Sequence, residues 1–181
     1  MKFLPILSFV TAASALALFA PTEAHADPVA SIGGYVQPQI PIGNFSDGSS
    51  FGLGLQVGAD IAVAPNVAIV GGLGVTNYFT KGDSVTLINV PVSGGVRYAF
   101  DKLTHGPYVG GGLDINILHS SLEVDGLGSA SDTDVNLGLG VGGGYRLDAF
   151  DFGGRLQSLD IGHFGDTFQL GLYAGYHFAQ F

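Results

Sequence analysis

Near the end of the chain, over 167–178, every second residue is apolar: Phe168, Leu170, Leu172, Ala174, Tyr176 and Phe178. Between them stand Thr167, Gln169, Gly171, Tyr173, Gly175 and His177, which are polar, small or amphipathic. A period of two gives a strand with two chemically different faces. The stretch slightly exceeds the roughly 9–11 residues that a tilted strand needs to cross a bilayer. The same alternation is cleanest at 50–63, where Phe51, Leu53, Leu55, Val57, Ala59, Ile61 and Val63 interleave with Gly52, Gly54, Gln56, Gly58, Asp60 and Ala62. Further segments at 29–40, 67–79, 85–100, 107–119, 134–147 and 150–158 bring the strands to eight. Pro91 cannot donate a ladder hydrogen bond, and a bulge there would slip the earlier half of its strand, so the parity is read from Val92 onward.

Turn residues separate these segments in an uneven rhythm. The connections at 64–66, 101–106 and 148–149 are short and alternate with 41–49, 80–84, 120–133 and 159–166, which are longer except that 80–84 is no longer than a turn. Short turns at one end and longer loops at the other are the asymmetry of a transmembrane barrel. The pattern predicts an all-β, eight-stranded antiparallel up-and-down transmembrane β-barrel.

Composition sharpens this. Only 12% of residues are charged, against about 25% in soluble domains, yet beyond residue 26 no apolar run reaches the roughly 20 residues of a spanning helix. A barrel spreads its apolar residues alternately along many strands, which reconciles the two facts. The first 26 residues read as a secretory signal: Lys2, an apolar run over 3–20, then Ala24-His25-Ala26 as a small-residue cleavage site. This divides the chain into a signal, 1–26, and a barrel domain, 27–181. All 30 glycines fall in the second part, and cysteine is absent. A net charge of −9 argues against nucleic acid as a partner, which calls for clustered Lys and Arg.

With the signal, the strands and the aromatic close in view, the chain resembles the small eight-stranded outer-membrane β-barrel family, OmpA/OmpX-like, over essentially all of 27–181. Gly175-Tyr176-His177-Phe178 is similar to the family's closing Gly-Tyr-x-Phe, and Gly95-Val96-Arg97-Tyr98-Ala99-Phe100 to its recurrent strand ending. The resemblance implies the outer membrane of a Gram-negative cell, contact with outer-membrane lipid, and recognition of the closing strand by the barrel-assembly machinery through Tyr176, Phe178 and Phe181. Ala179, Gln180 and Phe181 extend past the usual terminal aromatic, and Phe181 falls on the opposite parity. Either the strand bends at its end or Phe181 is the recognised terminus.

The candidate chemistry lies on the non-apolar face. Parity places Asp60, Arg97, Asp114, Arg146 and Arg155 there, with Gln56, Asn116, Asn136 and Gln157. The interior of an eight-stranded barrel is just wide enough for side chains to fill, so these residues read as a network of ion pairs and hydrogen bonds plugging the lumen. The histidines lack metal-ligand spacing. Glu123, Asp125, Asp132 and Asp134 read as a solvated acidic loop, with divalent-cation binding as the alternative. Ser158, Asp160 and His163 lie close in sequence, as a lipid hydrolase would require, but such common residues coincide often. The expected protein is a non-enzymatic barrel without cofactor, with a structural or surface-interaction role. It would meet an extracellular partner through loops 41–49, 120–133 and 159–166. The alternatives are a small pore or transporter for small or apolar molecules, a lipid-modifying enzyme, and a soluble lipocalin-like barrel with the polar face outward.

Overall fold

A computed structural model describes residues 29–81, 85–124, 128–164 and 166–181; the segment 1–26, expected to be a signal, lies outside them. The chain forms β1 (Ala30–Pro41), a one-turn helix α1 (Phe45–Gly48), β2 (Ser49–Ala64), β3 (Val67–Thr80), β4 (Val85–Ala99), β5 (His105–Val124), β6 (Gly128–Leu147), β7 (Phe150–Ser158) and β8 (Phe168–Gln180). Each strand pairs with the next, and β8 returns to β1, closing the barrel. Every pairing is antiparallel.

The faces are inverted relative to a water-soluble barrel. Leu55, Val57, Leu73, Val96 and Val141 are each more than half exposed, while Asp60, Arg97, Asp114, Arg146 and Asp151 are each less than a tenth exposed. An apolar outside and a polar inside suit a lipid environment, and they exclude the lipocalin-like arrangement. Aromatic rings mark both rims. Tyr98 packs edge-on to Phe100, and Phe150 lies against Phe152 and Tyr176 near the turn end. Phe51 stacks on Phe79 at the other. The outward run Phe51–Val63 spans roughly 30 Å at about 3.3 Å per residue and a tilt near 40°.

The inward glycines are seats for the large inward side chains. Tyr78 stands directly across from Gly52, Tyr35 from Gly175, Gln39 from Gly171, Tyr108 from Gly144 and Tyr173 from Gly153. A Cβ on Gly52 would lie 2.8 Å from the Tyr78 ring, and one on any of the others would likewise run into its partner's side chain. A bare backbone opposite each ring lets it lie flat across the neighbouring strand, which also pins the register.

Two departures from the sequence reading have local causes, and a bend that it offered as an alternative is present. At Pro91 no bulge forms: β4 keeps one register with β5 from Val85↔Leu122 to Ala99↔Tyr108. The proline only interrupts the pairing with β3, between Leu73↔Val92 and Thr76↔Asn89. The long loop expected at 120–133 is mostly strand, because β5 and β6 stay paired from His119↔Thr133 to Val124↔Gly128. Ser120, Ser121, Ser131, Asp132 and Thr133 interrupt the apolar alternation there, so no hydrophobic period betrays the strands. Finally, the register of β8 against β1 shifts between Gly33↔His177 and Ile32↔Ala179. Phe178 is the extra residue of this bulge. An extra residue re-aims the strand, and so Phe181 is exposed along with Tyr176 and Phe178 despite its opposite parity.

Candidate functional site: the closed lumen and the projecting hairpin

The strand ends nearest the short turns carry a charged cluster. Asp60 of β2 meets Arg97 of β4 at 2.9 Å and Arg146 of β6 at 3.1 Å. Arg97 also reaches Asp151 of β7 at 3.4 Å and lies 5.0 Å from the centre of the Tyr108 ring. Arg146 donates to the Asp148 carbonyl at 3.0 Å and to Ser31 at 3.3 Å. The Tyr108 hydroxyl donates to Asp151 and sits 2.7 Å from that of Tyr173. His177, fully buried, completes the cluster 3.0 Å from the Tyr35 hydroxyl and 3.5 Å from Asp151. Below the cluster, Leu103 of the β4–β5 turn is buried, and its carbonyl faces Arg97.

Midway up the barrel, Arg155 of β7 grips Asp114 of β5 through two hydrogen bonds, 3.0 and 2.8 Å. The outer end is closed by neutral groups. Asn89 donates to Asn116 at 2.9 Å, Asn116 to the Leu159 carbonyl at 2.9 Å, and Tyr78 to Gln169 at 2.6 Å. Leu159, at the start of the 159–167 connection, is buried in the mouth, and Phe45 of α1 packs on Tyr78. Between the two closures remains a cavity of about 180 Å³.

Of the expected lumen residues, Asp60, Arg97 and Arg146 come together, while Asp114 and Arg155 form a separate pair. Asp151, which shares its strand parity with Arg155, was legible and overlooked. With it, three arginines face three aspartates, and the interior charges balance. Such matching is what lets buried charges persist. The tyrosines and His177 carried no distinguishing signal beyond period-two parity.

Ser158 and His163 do not pair. The Ser158 hydroxyl donates to the Asp160 carbonyl at 2.9 Å and meets Thr167 at 3.0 Å, whereas His163 meets the Asp160 carboxylate at 2.7 Å. In this exposed loop the hydrogen bond from His163 lowers the pKa of Asp160, and the same contact raises that of His163. Asp132 and Asp134 are exposed, the Asp125 side chain and that of Glu123 lie outside the described residues, and among the described residues no group of three or more metal-ligating side chains converges.

β5 and β6 project past the end of β7 as a hairpin, with β4 still paired to β5 as far as Val85↔Leu122. Its six outermost pairs, His119↔Thr133 to Val124↔Gly128, span roughly 20 Å at about 3.4 Å per residue. Its far edge has no strand neighbour: β7 stops at Leu139↔Ser158, and one hydrogen bond from Ile161 to the Leu137 carbonyl follows. Residues 130–135 of β6 are all exposed.

Among solved structures, the chain resembles Neisserial surface protein A (NspA), with 18% identity and a TM-score of 0.57, covering 84% of this chain and 98% of that one. It also resembles Ail, the attachment invasion locus protein of Yersinia pestis, solved with the heparin analogue sucrose octasulfate, at 17% identity and a TM-score of 0.55, covering 82% and 96%. The N-terminal β-barrel domain of Pseudomonas aeruginosa OprF matches at 17% identity and a TM-score of 0.54, covering 84% and 99%. No curated protein matches. These likenesses share the fold. The sequence itself, over residues 10–178, matches the family described as "Outer membrane protein beta-barrel domain". The chain belongs to the outer membrane protein β-barrel family.

Proposed function

We propose that this protein is a non-enzymatic surface barrel of the Gram-negative outer membrane, whose work is done by the hairpin that β5 and β6 hold above the lipid. The observation that carries this reading is the open edge of β6 over 130–136, set on a barrel whose lumen is closed by a charged cluster below and a neutral one above. Unpaired N–H and C=O groups on a strand edge are a template for an extended segment of another protein. The 43–48 and 159–167 connections flank that edge at the same rim, joined by the 2.7 Å hydrogen bond from Asn44 to Asp166. Export through the signal at 1–26, and insertion by the barrel-assembly machinery through Tyr176, Phe178 and Phe181, belong to the same proposal. The pore alternative is supported by the cavity alone, which lies between two hydrogen-bonded clusters. The enzyme alternative loses its Ser–His pair.

The test combines membrane fractionation with protease treatment of intact cells. The protein should sediment with outer membranes, run as a compact band in detergent until boiled, and be cut within 119–133 by protease added outside. Recovery in the soluble fraction, or a hairpin protected until the envelope is broken, would overturn the proposal.

A further inference from the structure

Independently of the surface hairpin, we propose that the lumen holds a binding chamber for a small uncharged molecule of about phenol size, entered from the membrane through the seam between β1 and β8. The chamber is the cavity of about 180 Å³ between the two closures, comparable with the roughly 150 Å³ cavity that accepts benzene in another protein. Its walls are apolar bodies with polar tips: the rings of Tyr35 and Tyr173, bare glycine backbone, and the amides of Gln56 and Gln157. The charges that border it are already paired, Arg155 with Asp114 and Arg97 with Asp60 and Asp151. A charged guest would therefore find no counter-ion, whereas a neutral one loses nothing. Gln157 is the specific invitation. Its side-chain amide has no hydrogen-bond partner among the described residues although it faces the chamber. A donor or acceptor on the guest would satisfy it.

The seam supplies the way in. Pairing of β1 with β2 runs unbroken through Pro38↔Leu53, but pairing of β1 with β8 lapses between Val36↔Ala174 and Gln39↔Gly171. Proline has no N–H to give, so the donor missing from Pro38 is one that β8 would have received. The chamber wall at this height consists of Gln37, Gly171, Leu172 and Tyr173, which are the residues beside the lapse. Pro91 causes a like lapse between β3 and β4, yet residues 74–75 and 90–91 do not border the chamber. Both ends are stoppered by buried leucines and hydrogen-bonded clusters, so the seam is the weakest part of the wall.

Phenol is the probe, titrated into the full barrel in lipid nanodiscs and followed by NMR at the side-chain amides of Gln157 and Gln56, the second of which also reports in the Gln157→Leu variant. A saturable shift is expected, with affinity roughly fivefold weaker in Gln157→Leu, the loss of one neutral hydrogen bond. Because the chain has no cysteine, Pro38→Cys/Leu172→Cys places a lone disulfide across the lapse. Oxidation should slow phenol exchange roughly tenfold or more, and reduction should restore it. Pro38→Ala, which returns the missing donor, should slow exchange in the same direction and serves if the double variant folds poorly. A shift that only grows in proportion to phenol, or equal affinity in Gln157→Leu, would overturn the site. Exchange indifferent both to the disulfide and to Pro38→Ala would overturn the seam as its entrance.

Discussion

Removing the charge of Asp60 should unbalance the interior more than any other single change. Its carboxylate serves two arginines, Arg97 at 2.9 Å and Arg146 at 3.1 Å, with its side chain 10% exposed. In Asp60→Asn, Arg97 retains Asp151, but Arg146 keeps only the Ser31 hydroxyl and the Asp148 carbonyl. Three arginines then face two aspartates. Breaking a buried pair by removing one partner costs about 3–5 kcal/mol, because a charge is left uncompensated. Removing both partners is far cheaper, since neither desolvated charge remains. Asp60→Asn combined with Arg146→Met should therefore recover roughly 2–3 kcal/mol of the loss, within the range of coupling between contacting residues. The assay is urea unfolding in phospholipid vesicles, followed by circular dichroism because the chain has no tryptophan, with heat-shift gels confirming that each variant closes. A loss below about 1 kcal/mol for Asp60→Asn, or a double variant as unstable as the sum of the two single ones, would refute charge balance as the organising rule of the lumen.

Other consequences are equally direct. Leu139 points outward from β6, and Leu139→Arg should cost about 2–4 kcal/mol in the same vesicle assay if it sits near the bilayer midplane. Gly52→Ala should cost about 1–3 kcal/mol by overpacking, since its methyl would stand 2.8 Å from the Tyr78 ring, and trimming Tyr78 to Leu in the same chain should relieve part of that cost. For assembly in cells, scored by the heat-shifted fraction, Phe178→Ala should do more harm than deleting 179–181; the opposite ranking would make Phe181 the recognised end. In the 159–167 loop, the raised pKa of His163 and the lowered pKa of Asp160 fix the sign of the pH response. The pair is fully formed below the ordinary imidazole range and lost as pH rises through the raised His163 pKa; on the acid side it is lost as pH falls through the depressed Asp160 pKa. An NMR titration of His163 should show its pKa fall when Asp160 is changed to Asn.

How much of this was legible beforehand depended on where lipid enforces a rule. A strand with one face in lipid must alternate, and a slip of one residue would turn its whole apolar set inward. That constraint made Leu55, Val57 and Val141 readable as outward, and Asp60, Arg97 and Arg146 as inward, from the chain alone. It also made Asp151 readable, since Phe150 and Phe152 bracket it with outward rings. What parity cannot provide is height and cross-barrel distance. Asp60, Asp114, Arg146 and Arg155 all point inward, yet only strand tilt and stagger decide that Asp60 takes Arg146 while Asp114 takes Arg155. The glycines hid a similar relation, because a ring opposite Gly52 or Gly175 is a matter of register. Above the rim the rule lapses altogether. There the apolar alternation gives way to Ser120, Ser121, Ser131, Asp132 and Thr133, which read as loop although they continue the ladder begun in the membrane. That silence follows from the physics on which the proposed role of the hairpin rests. Its pairing is inherited from the barrel below, so its side chains are released from the alternation that lipid imposes, which is what the proposed partner at the open edge of β6 requires.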